Sequence, residues 1–230
     1  MIRFLIFIPA FLFFNAGVRA QDAHALIKSI REKLEKINDY QADASLKTSI
    51  PFLRVPDAEV KVYYKKPDRI KIKNEKGISL VPKESVSISL YSLLNGQYQV
   101  IDAGSDKINN IPVRIVKLLP ENENADLVLA TLYIDAARGL ILKAKITTRE
   151  DGTDEVSLSY GKYVAASLPD KIIFSFNTQD YKLPKGVTFD YDDGSQKKQP
   201  AGDQKNQRGK IEISYHSYEI NKGLRDDVFK

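Results

Sequence analysis

The stretch from Val60 to Lys73, V-K-V-Y-Y-K-K-P-D-R-I-K-I-K, leaves this chain few choices of fold. Val60, Val62 and Tyr64 alternate with Lys61, Tyr63 and Lys65. Beyond Lys66-Pro67-Asp68, Ile70 and Ile72 alternate with Arg69, Lys71 and Lys73. A period of two puts each apolar set on one face of a strand and each charged set on the other. Pro67 cannot donate to a sheet ladder and holds Lys66 extended, so the pattern predicts two strands meeting at a corner. Composition alone would make this an ordinary half-buried hairpin.

Upstream lies one convincing long helix, Asp22 to Asn38. Leu26, Ile27, Ile30, Leu34 and Ile37 share one face, while Lys28, Arg31, Glu32, Glu35 and Lys36 cover the other. Asp22 is suited to the N-cap and Asn38-Asp39 to the end. A single apolar stripe must pack on something, and the rest of the chain offers sheet. Tyr40 to Ile50 reads as the first strand and Pro51 to Pro56 as a loop.

Both periods fit Gly77 to Leu94. Val86, Ile88 and Leu90 alternate with serines, yet Val86, Leu90, Leu93 and Leu94 also share a helical face. Pro82 near its start and Asn95-Gly96 at its end favour a short helix, a movable cover for a sheet; the alternative is a segment that packs once and stays.

The remainder is strand and turn. Gln97–Asp102 and Ile111–Leu119 flank a turn around Gly104, Asn109 and Asn110. Leu127–Asp135, Gly139–Arg149 and a strand holding Val156, Leu158 and Tyr160 follow. Leu127–Ile134 is apolar on both faces, so both are expected to be covered. Ile172, Phe174 and Phe176 alternate in the next strand, and Ile211, Ile213 and Tyr215 in the last. Residues 192–209, rich in Gly, Gln, Lys, Asp and Asn, read as a flexible surface loop, and Gly223–Phe229 as a tail pinned by Leu224 and Phe229. Roughly ten such strands form a large antiparallel sheet that must curl or close.

Met1 to Ala20 has the layout of a cleaved secretory leader: Arg3, an apolar run from Phe4 to Phe14 broken by Pro9, then Gly17-Val18-Arg19-Ala20. The run is shorter than the roughly 20 residues that span a bilayer. There is no cysteine, hence no disulfide and no lipidated cysteine. Losing Arg3 and Arg19 takes the formal charge from +5 to +3. The charges are interspersed along the strands, unlike a nucleic-acid footprint. About 210 residues remain, enough for one domain.

No catalytic constellation can be assembled. G-x-S-x-G, H-E-x-x-H, a phosphate-binding glycine loop and a cysteine nucleophile are all missing from the sequence. His24 reads as a solvated helix-start residue and His216 as structural. Asp190–Gly194 loosely resembles a calcium loop, but its glycine falls one place early and the closing glutamate is missing. No cofactor, metal or nucleic acid is expected.

An N-terminal amphipathic helix, a strand, Lys-Pro-Asp and a second strand together resemble the LolA/LolB-like family of periplasmic lipoprotein carriers, a fold shared with RseB-like sensors and mycobacterial lipid carriers. The Tyr133-Ile134-Asp135…Gly139-Leu140-Ile141 hairpin and Leu168-Pro169-Asp170 add to the likeness. The resemblance implies an incomplete β-barrel whose apolar concave face is covered by the helix and a smaller lid. Its expected cavity residues are Val60, Val62, Tyr64, Ile70, Ile72 and Leu129, and its lid carries Val86, Leu90, Leu93 and Leu94. Lys66 stands where relatives place an arginine that latches the lid, and a lysine lacks the planar fork. Acyl chains of lipoproteins or other lipids are the implied cargo, with inner- and outer-membrane partners, a periplasmic location and a monomeric chain. A regulator-binding sensor, or a structural domain with a filled core, are the alternatives.

Overall fold

The computed structural model describes residues 22–50, 53–54, 56–74, 90–150, 152–177 and 208–229, the side chains at 53–54 and 90–92 excepted. The leader pattern, Val86, Asp190–Gly194 and residues 192–207 of the expected loop lie outside them. Arg208 and Gly209 are not loop: they open the last strand.

Helix α1 spans Ala23–Leu34, and the side chain of Asp22 caps it by accepting the N–H of His24 at 3.1 Å. It stops four residues short of the expected Asn38, because residues 35–38 turn the chain into the sheet. Leu26, Ile27 and Ile30 are buried, as is Ile37 beyond the helix, whereas Leu34 is only half-buried. The second helix, α2, covers Leu90–Asn95, and its Leu93 and Leu94 pack into the core beneath α1.

Among the described residues, eleven strands form one antiparallel sheet: β1 (Asp39–Ile50), β2 (Leu53–Arg54), β3 (Ala58–Lys65), β4 (Arg69–Asn74), β5 (Tyr98–Ile108), β6 (Ile111–Pro120), β7 (Leu127–Asp135), β8 (Leu140–Thr148), β9 (Gly152–Ser159), β10 (Lys171–Asn177) and β11 (Arg208–Ile220). Their order is β4-β3-β1-β11-β10-β9-β8-β7-β6-β5, with the two-residue β2 on β1 inside the expected 51–56 loop. β4 and β5 are the edges, so the sheet curls without closing into a barrel. The Lys66–Pro67 peptide is cis, and the expected corner there is a tight hairpin with Val62 opposite Ile72 and Tyr64 opposite Ile70.

Register shifts interrupt strict alternation at four places among the described residues, two of them in the β7–β8 ladder, between Leu127 and Leu129 and between Tyr133 and Ile134. β5 runs on to Ile108, and Gly104, expected in a turn, lies within it at a register shift between Asp102 and Ser105, with φ +91 that suits glycine. In β11 the register jumps from Ser217 opposite Asp43 to Tyr215 opposite Ala44, leaving His216 as the extra residue. Tyr215 and Tyr218, which alternation would send to opposite faces, therefore both point inward.

The largest apolar cluster lies between α1, α2 and β6–β9, with Leu118, Leu132, Ile134 and Ile146 in its centre. A second occupies the other arm of the curve, around Ala44, Val62, Ile211 and Ile213. The outer face of β7 is covered in part only: Tyr133 joins a small outer cluster with Val113, Leu140 and Leu142, while Val128 is 41% exposed.

Candidate functional site

At one end of the half-pipe gather the C-terminal end of α1, the β3–β4, β5–β6 and β7–β8 turns, the β9–β10 connection and the end of β11. This rim fixes the helix. Lys33 Nζ donates to the carbonyl of Arg138 at 2.6 Å, on a turn that Asp135 organises by accepting the N–H and Nε of Arg138. Lys66 Nζ donates to the carbonyl of Glu35. Asn221 Nδ2 donates to the carbonyl of Lys36 at 2.7 Å. A buried carboxylate, Asp39, completes the joint by accepting the N–H groups of Lys222 and Gly223 at 3.0 and 3.1 Å. Each takes up a carbonyl or N–H that a chain reversal leaves without a ladder partner.

Beneath that rim lies a cavity of about 110 Å³. Leu34, Ile37 and the Ser167–Pro169 segment stand at its mouth. Val62, Tyr64 and Ile70 form one wall, and Ile146, Val156, Leu158, Ile172, Phe174 and Ile213 line the remainder. The lining is apolar apart from Ser167 and the phenols of Tyr40, Tyr64 and Tyr215. Such a space is poor in partners for water and favourable for hydrocarbon.

The phenols belong to one aromatic block. Tyr40 stacks on Tyr64 with ring centroids 5.1 Å apart and meets Tyr218 edge-on at 5.2 Å. Tyr215 stacks on Tyr218 at 4.8 Å, and Tyr163 meets Tyr218 edge-on at 4.9 Å. Tyr218 donates its hydroxyl to the carbonyl of Pro169 at 2.8 Å, tying the block to the mouth. Burial pushes the phenol pKa values of Tyr40, Tyr215 and Tyr218 up; neighbouring phenols add to the rise at Tyr40 and Tyr218. These three phenols are neutral across the physiological range.

Of the expected cavity residues, Val62, Tyr64 and Ile70 meet around this space. Val60 and Ile72 share their inward face but pack deeper, with Ala44 and Ile211. Leu129 is a correction. Ala130, Leu132 and Ile134 take the inward face of β7, so Leu129, paired with Thr147, shows its half-buried side chain to the outer face. Lys66 reaches the end of α1, and its expected partner in the lid falls outside the described residues, apart from buried Leu93 and Leu94. Alternation placed Leu158 on a strand face with Val156 but did not mark it as a cavity residue, and it did not single out Tyr40. The Ser167–Pro169 segment has no periodicity, and Leu168-Pro169 entered only through the family likeness.

His216 is exposed, with Nε2 3.7 Å from Glu59 Oε2. Among the described residues no three metal-ligating side chains converge, and no helix is long and apolar enough to cross a membrane.

The architecture is an open antiparallel half-pipe with an amphipathic helix packed on the core face of the sheet. Among solved structures, that of a DUF1329 family protein from Desulfovibrio piger superposes with a TM-score of 0.57 at 11% identity, covering 90% of this chain and 95% of its own. A LolA superfamily protein from Nitrosomonas europaea matches at 0.55 and 12% identity, over 89% of this chain and 97% of its own. A domain assigned by name to outer membrane lipoprotein sorting, from Vibrio parahaemolyticus, matches at 0.50 and 11%, over 90% and 97%. The fold is the LolA-like one. No protein-family profile matches the sequence, and comparison with curated proteins finds no significant relative.

Proposed function

We propose that this chain is a periplasmic carrier that holds acyl chains of lipoproteins or other lipids in the cavity beneath α1, for sorting toward the outer membrane. The observation that carries the reading is the composition of the wall: Val62, Ile70, Leu158, Ile172, Phe174 and Ile213 surround empty space at the open end of the sheet. The leader pattern at Met1–Ala20 and the lipoprotein-sorting name of one structural neighbour support the location and the cargo class. Each buried methylene contributes about 0.8 kcal/mol, so a chain of modest length is held without any specific polar contact.

The volume bounds the state. A cavity of about 110 Å³ is smaller than the roughly 150 Å³ that takes up one benzene molecule. A long acyl chain therefore enters by moving a wall. The movable parts on this reading are the Ser167–Pro169 mouth and the lid expected around Leu93 and Leu94, with Lys66 latching the end of α1.

The test is a fluorescent fatty acid titrated into the secreted protein, with mass spectrometry of lipid that co-purifies from a native envelope. Val62→Glu, which would place a carboxylate on the cavity wall, should abolish binding in protein that circular dichroism shows to be folded. Lys61→Glu, one residue away on the outer face, should leave it nearly unchanged. Wild-type protein free of lipid and unable to take up the probe, or a folded Val62→Glu that binds normally, would overturn the carrier.

A further inference from the structure

The outer face of the β3–β4 hairpin carries a pattern that the cavity does not explain. Its register sets Lys61 directly opposite Lys73, Tyr63 opposite Lys71, and Lys65 opposite Arg69. On the outward positions from Glu59 to Lys73 there are five cations and one carboxylate, Glu59 itself. The whole chain has a formal charge of +5, so this one hairpin face holds a surplus of four within a small area. Like charges directly opposite across an antiparallel ladder destabilise it, and two such pairs occur here in three consecutive outward positions.

Among the described residues, two carboxylates from elsewhere temper the face. Asp43 on β1 sits 2.6 Å from Lys61, and Asp226 of the C-terminal turn bridges Lys65 and Arg69 at 2.7 and 2.6 Å. Aromatic rings border the cations: Tyr63 within the grid, and Phe229, whose ring lies 4.9 Å below the Arg69 guanidinium.

We propose that this hairpin face docks the protein on an anionic lipid bilayer. The surface is the outside of a curved sheet, and its outward positions carry long, solvated side chains rather than the buried aromatic anchors that dominate protein interfaces. Lysines outnumber the single arginine. An ammonium on a flexible stem suits the diffuse, shifting charge of a phospholipid surface, whereas a planar fork suits one fixed carboxylate or phosphate. Tyr63 is a side chain of the kind that settles at the headgroup level. The inward side of the same two strands supplies Val62, Tyr64 and Ile70 to the cavity wall. Docking by the outer face thus brings a cavity wall to the membrane while leaving the mouth clear. This inference does not depend on what the cavity holds.

The test is co-sedimentation of the full secreted chain with vesicles of pure phosphatidylcholine or of phosphatidylcholine with phosphatidylglycerol. Binding is expected to the acidic vesicles alone and to fade at high salt. Lys71→Gln with Lys73→Gln should weaken it by about fivefold per cation, roughly thirtyfold for both. Lys28→Gln with Lys162→Gln removes the same charge from exposed sites elsewhere and should leave binding intact, with thermal melting showing both double variants folded. Equal binding to neutral vesicles, a hairpin variant that binds like the wild type, or a control pair that loses as much would each overturn the proposal. Displacement from acidic vesicles by polyglutamate at matched charge would assign the face to an acidic protein partner, and would overturn it too.

Discussion

Asn221, at the end of β11, reaches across the rim and donates its side-chain amide to the carbonyl of Lys36, 2.7 Å away, while its Oδ1 accepts the N–H of Asn38 at 2.7 Å. One side chain thus holds both flanks of the turn that carries the chain from α1 into β1. Asn221 adopts φ +55, a left-handed conformation that asparagine tolerates and alanine does not. Asn221→Gly should lose the bonds alone, about 2 kcal/mol at about 1 kcal/mol each. Asn221→Ala should lose about 1 kcal/mol more through backbone strain. Urea unfolding midpoints check the ranking, and equal midpoints for both variants would contradict it.

Lys66 makes a second tie, to the carbonyl of Glu35. Lys66→Met keeps the apolar stem and removes the donor, at a cost of roughly 0.5–1.5 kcal/mol. The loss should be local. Amide hydrogen exchange in the last turn of α1 is expected to quicken, with the exchange of β7 and β8 unchanged.

The apolar stripe of α1 is graded along its length. Leu26 is fully buried, whereas Leu34 is half-buried at the cavity mouth. Leu26→Ala should cost about 2–5 kcal/mol and Leu34→Ala distinctly less, because a side chain at an open mouth leaves no sealed void. Leu34→Ala should instead alter the rate of ligand exchange. Denaturant midpoints and stopped-flow release of the fluorescent fatty acid separate the two effects.

The tyrosine block sets a limit on the alkaline side. Burial raises the pKa of Tyr40, Tyr215 and Tyr218 above their ordinary value near 10. A phenol with a raised pKa holds its proton more tightly in the folded chain. Its contribution to stability is whole below pH about 10 and is lost as the pH climbs from there toward the folded value. Ultraviolet titration should show these phenols ionising together with unfolding, later than the exposed ones. Full reversible ionisation near pH 10 in folded protein would contradict the burial.

Much of the fold was legible because alternation is a local signal. Val60, Val62 and Tyr64 share a face whatever surrounds them, and β1, β3, β4 and β10 fall where their patterns place them. Direction is not local. Leu127–Ile134 is apolar at every position, so nothing in it said that Ala130 rather than Leu129 faces the helix. That choice is made by pairing, Ala130 opposite Leu118 on one side and Ile146 on the other. Bulges are equally silent. Gly104 looked like a turn glycine, and it is a turn-like backbone inside a strand. The Ser167–Pro169 mouth lacks periodicity and is placed by Tyr218 and the strands around it.

The extra residue at His216 works as a phase slip. Before it, Ile211, Ile213 and Tyr215 count inward on odd numbers; after it, Tyr218 and Ile220 count inward on even ones. Removing His216 would let Ser217 follow Tyr215 directly, as Asp43 precedes Ala44 on β1, and Tyr218 and Ile220 would stay inward. The strand thus holds one spare residue at this point. A deletion at Glu212, within the regular ladder, would instead turn Ile213 and Tyr215 outward before the spare residue could absorb the slip. One codon lost at the bulge straightens the strand, and the same loss four residues earlier strips the inner wall.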